Sequence, residues 1–209
     1  RRTEEAKNRF TRYGWSVHLF DGEVPHKNLN FIPPDVTHII ASIPPGKDGD
    51  PVVFFHAQHI KTLRNLKWLG YLSTTGVYGD RAGGWVDEDS ERKPTGLRGR
   101  LRVNAEDAWL KLWAENGIPI HLFRLAGIYG PSRNAIENVR QGRAHRIVKT
   151  GQVFNRIHVD DIAQIITKSM SSPNPGSAYH LCDDEPAAPQ DVINYACKLL
   201  KVEPPPEIP

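Results

Sequence analysis

A short apolar run, Thr37 to Ile43, stops abruptly at Pro44-Pro45. Similar runs recur at Trp68 to Ser73 and Ile118 to Leu125, with helix-length stretches between them. A segment this short and this continuously apolar has no polar face to offer water. It suits a strand covered on both sides of its sheet. Val52 to Leu66 predicts one intervening helix and Gly99 to Asn116 another, with Ala105, Ala108, Trp109, Leu112 and Trp113 along one side of the second. Strands alternating with helices at these lengths point to βαβ units, and so to an α/β fold with a mostly parallel sheet.

The flanking segments fit the same scheme. Thr3 to Arg12 predicts a helix with Ala6, Phe10 and Tyr13 on one face and Gly14 as its cap. A strand over Ser16 to Phe20 then ends at Asp21-Gly22. Gly76 to Lys93 reads as an acidic, turn-rich loop. Pro131 to Arg156 is where the chain leaves the main sheet, which resumes at Ile157 to Asp161. Ile162 to Ser171 predicts a helix, Ala178 to Leu181 a short strand, and Gln190 to Leu200 a last helix that Pro204-Pro205-Pro206 cannot extend. One domain over residues 1–209 accounts for the pattern, with 1–130 as its core and 131–209 as smaller segments interleaved with the last strands.

Composition narrows the function classes. The chain is 39% hydrophobic and 24% charged, an ordinary globular balance. No apolar run approaches the roughly 20 residues that a membrane helix needs. The net charge of +3, from 27 basic and 24 acidic residues, is small, and neither a recognition-helix pattern nor zinc spacing accompanies it, which argues against nucleic acid. Basic clusters at Arg98, Arg100 and Arg102 and from Arg140 to Lys149 read first as solvated faces and second as sites for an anionic ligand. Cys182 and Cys197 form no CxxC motif and read as reduced, packed thiols of a cytoplasmic protein. The N-terminus lacks the apolar core of a signal peptide. His158 with Asp160 and Asp161 reads as a helix start capped by one of the aspartates, not as a metal site. A homodimer is one option for its assembly.

Two features carry chemistry. Asp21 ends a strand that follows a helix. In a dinucleotide-binding fold a carboxylate there accepts hydrogen bonds from the adenosine ribose and repels a 2′-phosphate, which favours NAD over NADP. An Asp-Gly pair is equally an ordinary turn. The second feature is Leu72-Ser73-Thr74-Thr75-Gly76-Val77-Tyr78-Gly79, where small hydroxyl residues follow a buried strand. Ligands of open α/β sheets collect at such carboxyl ends, and a hydroxyl there can bond an oxygen that alternates between alcohol and ketone.

Ser73 to Gly79 resembles a motif of the extended short-chain dehydrogenases, the NAD-dependent epimerase/dehydratase family. Arg124-Leu125-Ala126-Gly127-Ile128-Tyr129-Gly130-Pro131 resembles that family's segment beside the nicotinamide, and Ile157 to Ala163 resembles a third motif in the same order. The string from Trp68 to Glu88, with Ser42-Ile43-Pro44-Pro45, is most similar to the YeeZ-type branch. The resemblance implies a Rossmann-like, doubly wound sheet with a small C-terminal substrate-side subdomain. It implies NAD or NADP as cofactor and a hydroxyl-bearing small molecule, such as a nucleotide sugar, as substrate. It places Thr74 at the reacting oxygen, Asp21 on the adenosine ribose, Ser42, Ile43, Pro44 and Ser73 along the cofactor, and Leu125, Ala126 and Gly127 beside the nicotinamide.

Two departures qualify this. Where the family has the tyrosine and lysine of its Tyr-x-x-x-Lys pair, this chain has Arg98 and Arg102. Arginine stays protonated at any working pH, so Arg98 cannot act as the base, although Arg102 can donate to a ribose hydroxyl. Tyr78 and Tyr129 are alternative proton carriers by location only, and core packing is the commoner role for each. The sequence also lacks the family's first strand and its Gly-x-x-Gly-x-x-Gly turn. The readings left open are an NAD(P)-dependent enzyme, a non-catalytic cofactor sensor or scaffold, and an inactive truncated fragment.

Overall fold

A computed structural model describes residues 4–26 and 31–208, apart from the side chain of Ala6. The main sheet has four strands in the order β1-β2-β3-β7: β1 is His38–Ala41, β2 Trp68–Thr74, β3 Ile120–Leu125 and β7 Ala178–Leu181. β1 and β2 are parallel, with His38 level with Trp68 and Ala41 level with Tyr71. Between them lies α2, Pro51–Ile60, and between β2 and β3 lies α3, Leu97–Asn116. The expected α/β alternation and parallel sheet are therefore present.

By its contacts the chain divides into two compact units. The first comprises Arg1–Ser73, Arg100–Leu122 and Pro173–Ser177, and the second Thr74–Gly99, Phe123–Ser172 and Ala178–Pro209.

In the first unit, β2 is gripped from within its own sequence. Trp68, Leu69 and Tyr71 are fully buried, and a Cβ at Gly70 would fall 2.2 Å from the Trp68 ring, so no other residue fits there. Trp68 stacks on His121 of β3 at 5.4 Å, and Tyr71 meets Trp109 of α3 at 5.9 Å. Of the predicted α3 stripe, Ala105, Trp109 and Leu112 are buried, whereas Trp113 is 41% exposed. Asp50 caps α2 by accepting from the amides of Val52 and Val53, with Pro51 pre-set for the first turn. α2 stops at Ile60, short of the predicted Leu66. Thr62 donates its hydroxyl to the His59 carbonyl at 2.7 Å, and Leu63 and Leu66 continue in tight turns. The first helix, α1, is Glu4–Thr11 and ends as expected at a left-handed Gly14. Thr3 and the Ala6 side chain lie outside the described residues, and Tyr13 is exposed, so no buried face joins it to Phe10.

The strand predicted over Ser16 to Phe20 is not formed. A strand needs a ladder partner, and among the described residues this segment joins no sheet. Its alternating apolar pattern serves α2 instead, with Phe20 edge-on to Phe55 and His56 at 6.2 and 5.0 Å.

In the second unit, Thr75–Tyr78 forms a single 3-10 turn inside the segment predicted as loop. Phe123 of β3 stacks on Tyr179 of β7 at 5.5 Å. The region 131–156, where the chain was expected to leave the sheet, contains α4, Ala135–Arg140, and β5, Arg146–Ile147. β4, Gly127–Tyr129, runs parallel to β6, Arg156–His158, and β5 runs parallel to β8, Glu207–Ile208. α5, Val159–Ser171, is capped by His158, whose Nδ1 accepts from the Asp160 amide at 3.3 Å, not by Asp160 or Asp161 as predicted. The helix starts earlier than its apolar pattern shows, so both carboxylates sit in the first turn, where the helix dipole favours them. α6, Pro189–Leu200, buries Ala196 and Cys197. Cys182, expected to be packed, is exposed just beyond β7. No helix among the described residues is long and apolar enough to cross a membrane.

Candidate functional site

In the first unit Ser42, Ile43, Pro44 and Ser73 lie at or just beyond the carboxyl ends of β1 and β2. Because Ala41 is level with Tyr71, the chain leaves β1 through Ser42, Ile43 and Pro44 alongside Leu72 and Ser73. Ser42 and Pro44 are exposed and Ile43 is half-buried. Ser73 is buried, and its hydroxyl donates to Glu106 Oε1 at 2.5 Å inside the unit. That hydroxyl is committed to the protein.

Arg102 lies one helical turn before Glu106. Its Nη1 donates to the Tyr71 hydroxyl at 2.9 Å and to the Leu72 carbonyl at 2.8 Å, and its guanidinium carbon sits 5.6 Å from the Tyr71 ring centre. Burial drives the Tyr71 hydroxyl far above the ordinary phenol range, and the Arg102 charge offsets this only in part. Tyr71 therefore stays a neutral phenol. Burial likewise raises the Asp50 carboxyl, against the amides of Val53 and Val52, the Trp109 indole and the charge of Arg102. Asp21 is exposed, and its Oδ1 accepts from the amides of Glu23 and Val24 at 2.9 and 3.4 Å. The carboxylate braces its own turn, the alternative that the Asp-Gly pair left open.

In the second unit, Thr74 heads the 3-10 turn. Its half-buried Oγ1 accepts from the Gly76 amide at 3.2 Å. Arg98 is exposed on the first turn of α3. Leu125 and Ala126 are buried at the end of β3, and Gly127 is exposed where β4 begins. The Ala126 amide donates to Leu181 and the Gly127 amide to Asn155.

Both tyrosines named as alternative proton carriers have polar partners. The Tyr78 hydroxyl lies 2.6 Å from His180 Nε2 and accepts from Arg124 Nη1. The Tyr129 hydroxyl bonds Asp183, and burial with that bond raises its pKa.

No family model matches the chain. Protein YeeZ of Escherichia coli strain K12 is 30% identical over 184 residues, 82% of this chain and 62% of YeeZ. A solved structure from Silicibacter pomeroyi DSS, described as a functionally unknown conserved protein, is 44% identical, with a TM-score of 0.88 over 100% of this chain and 71% of that one. The chain is a relative of YeeZ and of the Silicibacter pomeroyi protein. The Rossmann fold follows from a further likeness. UDP-glucuronic acid 4-epimerase from Bacillus cereus, solved in complex with NAD, has a TM-score of 0.69 at 21% identity, over 85% of this chain and 64% of its own. The chain spans 62% of the length of the curated relative it matches.

Glu106 of α3 was not among the expected site residues, yet it is a fully buried carboxyl bonded to Ser73 near the end of β2. A signal was there. Glu106 adjoins the apolar stripe through Ala105 and Trp109, and a carboxyl on that flank must find a donor inside. Gly99 was also missed. A Cβ there would fall 2.7 Å from the Gly76 carbonyl oxygen and 2.7 Å from the Pro94 side chain, so glycine lets the start of α3 close onto the turn headed by Thr74.

Proposed function

We propose that this chain binds a nicotinamide dinucleotide and serves an oxidoreductase or epimerase reaction at a hydroxyl-bearing carbon of a nucleotide sugar. The observation that carries this reading is Thr74, a half-buried hydroxyl at the carboxyl end of β2 that heads a tight turn. The residues present fit the cofactor by their donor set. In the first unit Ser42 and Pro44 are exposed just beyond β1, and in the second unit Thr74 is half-buried and side-chain-free Gly127 is exposed, so each offers backbone or hydroxyl groups of the kind a ribose and a flat ring take. When bound, the nicotinamide accepts and returns the hydride.

The chain's own residues divide the remaining work. Asp21 holds the adenosine ribose and disfavours a 2′-phosphate. Ser42, Ile43 and Pro44 lie along the cofactor. Ser73 contributes through its backbone, because its hydroxyl is given to Glu106. Arg102, braced on Tyr71 and Leu72, donates to a ribose hydroxyl in place of the family's lysine. Leu125, Ala126 and Gly127 flank the nicotinamide. Thr74 hydrogen-bonds the reacting oxygen. Arg98 is permanently charged and takes no proton.

Calorimetry on the purified protein tests the cofactor claim. NADH is expected to bind, and more tightly than NADPH. Absence of binding by NAD(H) and NADP(H) alike removes the reading. Thr74→Ala is expected to keep cofactor affinity and to lose turnover on nucleotide sugars. Arg98 in place of a proton carrier favours one second reading, a cofactor sensor without turnover. Tight NADH binding with no change in nicotinamide absorbance across a nucleotide-sugar panel would support that instead.

A further inference from the structure

β4 and β6 end side by side in the second unit. They run parallel, with Gly127 level with Arg156 and Tyr129 level with His158. Positions two apart along a strand share a face, so Tyr129 stands on the same side of β4 as Gly127. The His158 ring packs edge-on to the Tyr129 ring at 5.1 Å, and its Nδ1 is held by the Asp160 amide. Just beyond β7, Asp183 is fastened to the start of β6. Its amide donates to the Arg156 carbonyl at 2.6 Å, and its carbonyl accepts from Asn155 Nδ2 at 3.3 Å. Its carboxylate receives the Tyr129 hydroxyl, which among the described residues has no other hydrogen-bond partner. Tyr129 and Asp183 are both half-buried.

A phenol in this setting is a poor acid or base by itself. Burial, the bond to Asp183 and the charges of Asp183 and Asp161 all hold its proton in place. The carboxylate changes the chemistry, because it can take the phenol's proton while the phenol oxygen receives another. When a substrate alcohol is oxidised, its O–H bond breaks and that proton goes to the Tyr129 oxygen. In the same event the Tyr129 O–H bond breaks and its proton goes to Asp183. The alcohol carbon releases its hydride to the bound nicotinamide, and the electron pair of the broken O–H bond completes the carbonyl. The phenol is neutral before and after. Charge balances, since the carboxylate loses its negative charge as the nicotinamide loses its positive one.

We propose that Tyr129 is the catalytic acid and base of this chain and passes its proton to Asp183 in a two-proton relay, with His158 packing the phenol ring in place. The proposal rests on the reading of the chain as a nicotinamide-dependent enzyme in which Gly127 flanks the nicotinamide. That reading leaves the proton without a carrier at Arg98, which stays charged. A phenol held above its ordinary range is a less efficient carrier at neutral pH than a tyrosine made more acidic by a nearby lysine.

The pair can be read without cofactor. In carbon-13 NMR of labelled tyrosine rings, the Tyr129 phenol is expected to ionise about one pH unit lower in Asp183→Asn than in the wild type, because one negative neighbour is gone. With cofactor, Tyr129→Phe and Asp183→Asn should each cut nucleotide-sugar turnover about 10²-fold. The double variant should lose no more, as residues that act as a unit do. NADH affinity should be unchanged in all three. Wild-type turnover should fall towards acid, where a carboxylate takes up its proton, and Asp183→Asn should lose that dependence while Asp183→Glu keeps it. Turnover kept in Tyr129→Phe, or a Tyr129 titration indifferent to Asp183→Asn, overturns the relay and leaves the functional reading standing. NADH binding without turnover in the wild type overturns it too, in favour of the sensor. A wild type that binds neither NAD(H) nor NADP(H) ends the functional reading itself, and the relay with it.

Discussion

Glu106 receives the Ser73 hydroxyl at 2.5 Å, and neither residue is more than 4% exposed. The bond fastens the middle of α3 to the last turn of β2, next to the position from which Thr74 emerges. Ser73→Ala takes one donor from a fully buried carboxyl. The expected cost is about 1–3 kcal/mol. Glu106→Gln keeps an acceptor for Ser73 and should cost less. Urea unfolding of both variants checks the order. A Ser73→Ala protein as stable as the wild type would contradict it.

In the proposed function, Arg98 and Arg102 take the places of the tyrosine and lysine expected from the family resemblance. If the proposed function is right and only the proton carrier is lacking, Arg98→Tyr with Arg102→Lys should raise nucleotide-sugar turnover by about 10²-fold, the lower end of what a positioned acid or base supplies. Stability should fall at the same time. The shorter lysine would have to reach both the Tyr71 hydroxyl and the Leu72 carbonyl, which Arg102 holds from its single Nη1. Nicotinamide absorbance and thermal unfolding read the two effects separately.

Gly99→Ala sets two effects against each other. Alanine is a better helix former than glycine by about 1 kcal/mol. Its methyl, however, would sit 2.7 Å from the Gly76 carbonyl, which is backbone and cannot swing aside. Overpacking of this kind costs about 1–3 kcal/mol, so the net effect is destabilising. A denaturation midpoint higher than wild type would show that the start of α3 yields easily.

Acid should weaken the first unit. Burial lowers the pKa of His56, with the charges of His26 and His59 adding to it, and burial lowers that of His121 against bonds to Leu69 and Pro119. Both start from an ordinary value of 6.5. Below that value the unfolded chain binds protons that the folded one refuses. The contribution to stability is complete above 6.5 and is lost as the pH falls towards the depressed folded values. Urea midpoints at about pH 7.5 and about pH 5 check this, and the slope should shrink in His56→Phe. A stability that rises on acidification would contradict the sign.

Much of this molecule was legible in the order of its residues. Unbroken apolar runs ending at proline or glycine mark β1, β2 and β3; burial on both faces explains this for β2 and β3, whereas β1, at the sheet edge, leaves Ile40 49% exposed. The Trp109 stripe marks α3, and the small hydroxyls after β2 mark the candidate site. The segment Ser16 to Phe20 has the alternation of a strand, but pairing is a property of two segments, and it lies on α2 instead. The partners of the site were equally out of reach of local pattern. Ser73 meets Glu106 33 residues along the chain, and Tyr78 meets His180 102 residues along. A hydrogen bond depends on where two groups come to rest in space. Sequence spacing fixes that within a helix or strand, and only the tertiary fold decides it between them.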